Sequence, residues 1–361
     1  MTAPSDPIPA IPRRKAEHLR LFVEGDGPRA RQATSLLECV RLVHQALPEL
    51  EEAEIDLATT FAGHPLAAPF FVTGMTGGTA LAGEVNRGLA RVAERLGIGF
   101  GLGSQRALLE DPALLPTYQV RDVAPRVFLT GNLGAAQVAR LTPAEVRALC
   151  DQVGANAFCV HLNPAQELLQ PEGDRDFRGA RQAIGTLARE LDRPLIVKEV
   201  GCGLSREVAM ILLRLGIRHL DVAGVGGTSW VGAEVRRRGG EEDPELLAFW
   251  DWGLPTAAAL VELSDLPCQL IASGGIRTGL DAARALSLGA VAVGVAAPAL
   301  EAFLAGGEAA AERRLQGMID GLRRAMLLLG CRTPAELRRA PRVIVDPLAD
   351  WARQRGVDPA G

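Results

Sequence analysis

Short apolar runs recur along the chain, each ending on glycine or a polar residue and each followed by a helical stretch. Eight can be counted, at 69–74 (PFFVTG), 97–104 (GIGFGLGS), 127–131 (VFLTG), 157–163 (AFCVHLN), 194–200 (PLIVKEV), 219–224 (HLDVAG), 269–274 (QLIASG) and 290–295 (AVAVGV). Helical periodicity fills the intervals at 83–96, 143–153, 177–191, 205–215 and 280–288. Apolar strands alternating with amphipathic helices predict a parallel sheet covered on both faces. Eight such units predict an α/β fold, the closed (β/α)8 barrel. An open doubly wound sheet is the competing architecture, but it needs a glycine-rich phosphate loop at the first helix. The chain there reads Gly74-Met75-Thr76-Gly77-Gly78, without the G-x-G-x-x-G spacing.

Two stretches exceed a bare barrel. Residues 13–66 precede the first strand and contain a helical segment at 35–47 and an extended run at 55–61. Residues 229–255 interrupt the sixth unit and carry Trp230, Trp250 and Trp252; long insertions at strand ends act as lids or substrate walls. Beyond Gly306 the pattern reads as terminal helices. The expected organisation is an arm and extension over 1–66 packing on a barrel over 67–361.

Composition changes this picture little. A length of 361 residues suits one barrel, and with only 4% aromatics the core must be aliphatic. A net charge of −4 argues against a nucleic-acid or membrane-surface partner, so an anionic ligand must be held by local groups. The run Arg236-Arg237-Arg238 reads as a solvated face. Cysteines 39, 150, 159, 202, 268 and 331 form no C-x-x-C pair, which weakens zinc and thioredoxin-type readings. Cys159, Cys202 and Cys268 fall in or beside apolar runs as expected buried thiols, and a reducing cytoplasm fits. No segment has transmembrane length, and residues 1–12 read as a loose arm without a signal-peptide core.

Barrel chemistry collects where strands end. The seventh run ends in Ser273-Gly274-Gly275-Ile276-Arg277 and the eighth in Gly294-Val295-Ala296-Ala297, the two places where barrels commonly bind phosphate. In the fifth, alternation puts Ile196, Lys198 and Val200 on one face and Val197 and Glu199 on the other. A lysine in so apolar a run needs a reason. It is exposed at the strand end, or in a structural ion pair, or facing an anionic cofactor edge, or a Schiff-base former. The fourth run places His161 and Asn163 on one face, followed by Gln166 and Glu167. Glu167 alone is too few ligands for a structural metal and suits Mg2+, which keeps waters and substrate phosphates in its shell. Glycines at the other rims, with Met75, Thr76, Ser104, Asn132 and Thr228 among them, suggest close backbone approach to something flat or anionic. Arg14, Lys15 and His18 lie in a basic N-terminal segment, which is either solvated or folded over an anionic substrate.

Together these motifs resemble the type 2 isopentenyl diphosphate isomerases, over about residues 14–355. The particular pieces are R-K-A-E-H at 14–18, G-M-T-G-G at 74–78, S-Q-R at 104–106, H-L-N-P-A-Q-E at 161–167, V-K-E-V-G at 197–201, G-G-T-S-W at 226–230 and G-G-I-R at 274–277. The resemblance implies FMN used in its reduced form, NADPH as reductant, Mg2+, and a homotetramer or homo-octamer. The implied reaction interconverts isopentenyl and dimethylallyl diphosphates by proton addition and loss. Gly74, Met75, Thr76, Ser104, Asn132, Lys198 and Thr228 would hold the flavin, and Gly274, Gly275, Arg277, Ala296 and Ala297 its phosphate end. Arg14, Lys15, His18, Ser104, Gln105, Arg106, Asn163 and Gln166 would surround the substrate. Gln166 would face the reacting carbons with His161 and Lys198 beside it, and Glu167 would bind Mg2+. Ala223 stands where many members carry serine, which removes one hydroxyl from the cofactor. An FMN-dependent oxidoreductase, an inactive flavin- or diphosphate-binding protein and an isomerase of a related prenyl phosphate are the competing readings.

Overall fold

The apolar runs become strands because each can bury both faces. A computed structural model of the chain describes residues 10–23 and 27–358, and in it the eight runs form a closed parallel barrel. Its strands, here β1 to β8, are Phe70–Val72, Gly99–Gly101, Leu129–Gly134, Ala157–Leu162, Leu195–Glu199, His219–Asp221, Gln269–Ser273 and Ala292–Val295. Each pairs with its sequence neighbours, and β8 closes on β1. The intervening helices obey their local signals. Pro143–Val153, for example, starts at a Thr142/Glu145 capping box and stops at Gly154 in the left-handed region, φ 66°.

Alternation divides the core into two layers. Phe70, Val72, Leu129, Val197, Leu270 and Val293 point outward and pack under the helices. Phe71, Phe128, Ala157, Cys159, Ile196, Ile271 and Ala292 point inward. This inner cluster fills only the lower half of the barrel, and a hairpin closes its floor. Strands Thr59–Phe61 and His64–Leu66 pair antiparallel, inserting Phe61 against Phe71 at 5.5 Å, His219 at 5.5 Å and Phe128 at 6.4 Å between ring centroids. The hairpin is fixed by the Gln269 side chain, whose Oε1 accepts from Ala62 N at 2.8 Å.

The flanking segments depart from the sequence pattern. The helix expected over 35–47 does not form. Leu36 sits at φ 57°, a short 3-10 turn covers Leu37–Cys39, and Val40–Leu42 pairs antiparallel with Arg342–Ile344. Burial of Leu37, Cys39 and Val40 and a distant partner strand override the helical pattern. Of the extended run 55–61, only Thr59–Phe61 is strand. Beyond Gly306 the described chain is helices and loops but for strand Arg342–Ile344. Helix Ala297–Leu328 is interrupted at Gly306 and Gly307, and helix Leu348–Arg355 is clasped by the buried Glu262, which accepts from Trp351 Nε1 (2.9 Å) and Arg355 Nε (2.8 Å). Residues 10–12, expected in a loose arm, begin a helix at Ala10–Val23, and residues 1–9 lie outside the described residues. Among the described residues no helix is long and apolar enough to cross a membrane.

Because Phe61 is fully buried at the floor, Phe61→Ala should cost about 3–5 kcal/mol in urea unfolding. Ligand binding at the opposite rim should keep its affinity in that variant.

Candidate active site

The inner cluster stops halfway up the barrel, and above it a cavity of about 520 Å3 opens at the carboxyl ends of the strands. That lies within the roughly 300–1,000 Å3 of small-molecule and cofactor sites. Every site residue singled out from sequence lines it except Gln105. Gln105 is fully buried beneath the rim, where Nε2 donates to Leu149 O (3.0 Å) and Oε1 accepts from Asn132 N (3.0 Å). Its expected place at the substrate is therefore corrected: its amide is spent bracing helix Pro143–Val153 and strand β3.

The N-terminal helix Ala10–Val23 and the insertion helix Trp230–Arg237 roof the cavity. The basic segment is thus not a solvated arm, since Arg14 and Lys15 are both buried. Lys15 Nζ donates to Ser104 O (2.9 Å) and lies 3.5 Å from the hydroxyl of Tyr118, which itself donates to Ser104 O (2.8 Å). Burial, with Arg14 adjoining, pushes the Lys15 ammonium down to about 7. Arg14 Nε is buried without a hydrogen-bond partner. His18 Nε2 lies 2.9 Å from Glu234 Oε1 and meets Trp230 edge-on at 5.0 Å. Glu234, fully buried, also accepts from Gln166 Nε2 (3.3 Å) and Arg237. Burial raises its carboxyl, but the His18 hydrogen bond and nearby positive charge outweigh that and hold it below its ordinary value. Arg237 further bonds Glu17 (3.0 Å) and Glu172 (2.9 Å), so the solvated-face reading of 236–238 fails at this residue.

The fourth rim concentrates polar groups, because proline starts helix Pro164–Leu169 directly after β4. Asn163 Nδ2 donates to Glu167 Oε1 (3.0 Å) and Gln166 Oε1 (3.3 Å). Glu167 Oε2 accepts from Asp174 N (2.8 Å). The Asp174 carboxylate in turn accepts from Gln137 Nε2 and Arg140 (both 2.7 Å) and lies 3.6 Å from Arg106. Asp174 thereby ties the second, third and fourth rims together. Among the described residues no three histidine, cysteine or acidic side chains cluster as a metal cage.

Barrel register sets His161 beside Lys198 and Lys198 beside Asp221. Asn132 Nδ2 donates to Leu102 O (3.1 Å), which leaves its Oδ1 to accept from His161 Nδ1 (2.8 Å) and turns Nε2 of the neutral ring outward as an acceptor. Burial, then Lys198, Lys15 and Arg14, push the imidazole down to about 3. Lys198 is buried and not exposed at the strand end. It donates to Glu199 O and lies 3.7 Å from Asp221 Oδ2, so it is both ion-paired and cavity-facing. Asp221 Oδ1 accepts from Ser273 Oγ (2.6 Å). Glu199 points the other way and accepts from the N–H groups of Val200, Gly201 and Cys202.

On the far side, Gly274 (φ 97°) and Gly275 (φ 78°) turn where only glycine fits: a Cβ on Gly274 would lie 2.0 Å from Gly224 O. Arg277 donates to Gly226 O (2.9 Å), and Arg314 to Arg277 O (2.7 Å). Gly74, Met75, Thr76, Thr228, Ala223, Ala296 and Ala297 complete this side. Sequence reasoning missed Glu234, Asp221, Asp174, Tyr118 and Gln170. Only two left a signal: Glu234 follows Trp230, and Gln170 follows Gln166, by one helical turn.

Residues 178–344 match the FMN-dependent dehydrogenase family. Over nearly the whole chain there is similarity to proteins named isopentenyl-diphosphate delta-isomerase. That of Aeropyrum pernix is 46% identical over 352 residues, 96% of this chain and 93% of that protein. That of Methanosarcina acetivorans is 44% identical, covering 95% of each. Among solved structures, a mandelate oxidase with (S)-2-phenylpropionate superposes with a TM-score of 0.64 at 18% identity, covering 92% of this chain and 97% of that one, a likeness of fold.

The roof is tied down largely by charge. Glu234→Ala removes the acceptor shared by His18, Gln166 and Arg237. Losing a charge-assisted bond of about 1.5–3 kcal/mol should speed tryptic cleavage after Arg14 and Lys15 about tenfold or more, with the barrel still folded by circular dichroism.

Proposed function

The chain belongs to the isopentenyl-diphosphate delta-isomerase family, and we propose that it interconverts isopentenyl and dimethylallyl diphosphates with FMN and Mg2+ bound. The observation that carries this reading is the joining, in one cavity, of a desolvated cationic corner to a glycine-walled turn. Arg14, with its unpartnered Nε, lies with Lys15 and Arg106 in that corner. An anion with several oxygens satisfies them, and buried donors of this kind call for such a partner.

The fit to FMN rests on the opposite side. The Gly274–Gly275 turn exposes backbone at the place a side chain would fill, beside Arg277, Ala296 and Ala297, and would take the phosphate. Gly74, Met75, Thr76, Ser104, Asn132, Thr228 and the Lys198 ammonium would hold the ring. Reduced and bound, FMN supplies an electron-rich face for positive charge and a transferable proton. Ala223 offers it only a methyl group. For Mg2+, Glu167 offers a carboxylate whose oxygens each keep a free lone pair after bonding Asn163 and Asp174, and diphosphate and water complete such a shell.

The chain's own groups divide the remaining work. Arg14, Lys15, Arg106, His18 and Asn163 bind and orient the diphosphate. Gln166, held between Asn163 and Glu234, positions the carbon chain. His161, neutral with Nε2 free, accepts a hydrogen bond and is no proton donor at neutral pH. Leu19, Phe22 and Trp230 exclude water from a carbon centre that it would capture. A reducing cytoplasm, for which six free cysteines speak, belongs to the same reading, as do a homotetramer or homo-octamer and NADPH as reductant.

The decisive assay is anaerobic. Protein loaded with FMN and reduced should convert isopentenyl diphosphate to dimethylallyl diphosphate with Mg2+, and Glu167→Ala should lower turnover by about 100-fold or more, as loss of a charged ligand does. Flavin reduction by a 2-hydroxy acid, with no isomerised product, would move the assignment to the oxidoreductases that share the 178–344 match.

Lys15 gives a pH signature. Its ammonium in the free enzyme, pushed down to about 7, is charged below that pH and neutral above it. kcat/KM for the diphosphate should therefore fall as pH rises through about 7. Lys15→Arg, charged throughout, should flatten the profile.

A further inference from the structure

Two buried side-chain donors lining the cavity lack an acceptor among the described residues, Arg14 Nε and Gln170 Nε2. The resemblance accounts for Arg14. Nothing accounts for Gln170, which is 1% exposed. Its backbone is fully spent: N donates to Gln166 O (2.9 Å), and O accepts from Gly173 N (3.0 Å) and Arg175 (2.8 Å). The residue is thus fixed at the end of helix Pro164–Leu169 with only its amide unsatisfied. Three residues beyond Glu167 and four beyond Gln166, it shares their helical face. It extends the line of cavity groups that starts at Asn163.

The neighbours decide what an amide here can do. Glu167 accepts from Asn163 and Asp174 and makes no hydrogen bond to Gln170 Nε2, which is left without an acceptor among the described residues. Arg14, Lys15 and Arg106 are donors only, so a ligand in this corner must bring acceptors. A neutral amide adds a hydrogen bond without adding repulsion to a corner already crowded with cations. We propose, resting on the diphosphate reading above, that Gln170 is a further substrate-binding residue whose Nε2 donates to a diphosphate oxygen held beside Glu167.

The test uses the FMN-loaded enzyme with isopentenyl diphosphate and Mg2+, read both by calorimetric titration and by turnover. Gln170→Met keeps length and removes the donor. A hydrogen bond to a charged oxygen predicts Kd and KM rising together by about 10- to 100-fold, with kcat within about twofold. The thermal midpoint without ligand should not fall, because an unsatisfied group has been deleted. Gln170→Glu, isosteric and anionic, should bind more weakly still. Wild-type Kd in Gln170→Met overturns the proposal. So does tighter binding by Gln170→Glu, which would make the residue a cation ligand. So does a lowered midpoint with unchanged Kd, the mark of a structural residue. Wild-type binding that is lost in Glu167→Ala but unchanged in Gln170→Met sinks this inference alone. Failure of the wild type to bind isopentenyl diphosphate sinks both it and the functional reading.

Discussion

Positive charge held away from water is the constraint on which this site is built. Arg14, Lys15 and Lys198 are each under a tenth exposed, with Arg106 beside Arg14. Removing such groups from water costs several kcal/mol apiece unless they are paired. The protein offsets part of that cost from behind. Asp221 stands under Lys198, Asp174 behind Arg106, and Glu234 between His18 and Arg237. Lys15 has only two neutral oxygens as acceptors, and burial, with the Arg14 charge adjoining, depresses its ammonium. The corner is left short of negative charge by its neighbours, a shortage that the diphosphate of the proposed reaction would make up.

Barrel register turns that shortage into chemistry. Parallel pairing sets His161, Lys198 and Asp221 in a row on adjacent strands. The Lys198 charge adds to burial in keeping His161 neutral, and Asn132 fixes which nitrogen carries its proton. A one-residue slip of β5 would exchange Lys198 for Glu199 and send the cation into the outer layer. Glu199 is instead held on that outer side by three backbone N–H groups. The long inner side chains at the floor keep this register, since Ile196, two residues before Lys198, belongs to the inner cluster with Phe71 and Phe128.

The sequence disclosed what depends on short-range pattern. All eight strands were legible because each is a brief apolar run, and the rim residues followed from which position ends a strand. What failed was set by distant partners. The 35–47 segment has helical spacing but pairs with residues some three hundred positions on, through Val40 and Ile344. Gln105 belongs to an S-Q-R motif and was assigned with its neighbours, yet its amide is consumed by Leu149 and Asn132. Arg237 sits in a basic triplet that looks solvated until Glu17, Glu172 and Glu234 converge on it from three separate segments. Asp174 and Asp221 carried no motif, because a carboxylate that works by standing behind a cation leaves no spacing to read.

The two ends of the barrel are closed by different forces, and this separates stability from access. The floor is apolar: Phe61, Phe71 and Phe128 pack edge to face with no charged partner. The roof is anchored by Leu19 and Phe22, but its specific ties are polar, from His18 to Glu234, Glu17 to Arg237 and Lys15 to Ser104. Apolar burial at the floor is indifferent to what occupies the cavity. Two of the roof ties are made by His18 and Lys15, which the proposed function sets against the diphosphate, so their strength would depend on its charge. Among its described side chains helix Ala10–Val23 buries the apolar Leu19 and Phe22, and the barrel strands pair without it, so ligand entry need not loosen the core. On the proposed reading, an anion against Arg14 and Lys15 would give this helix the acceptor that Arg14 Nε lacks, and closing the roof would then be coupled to binding.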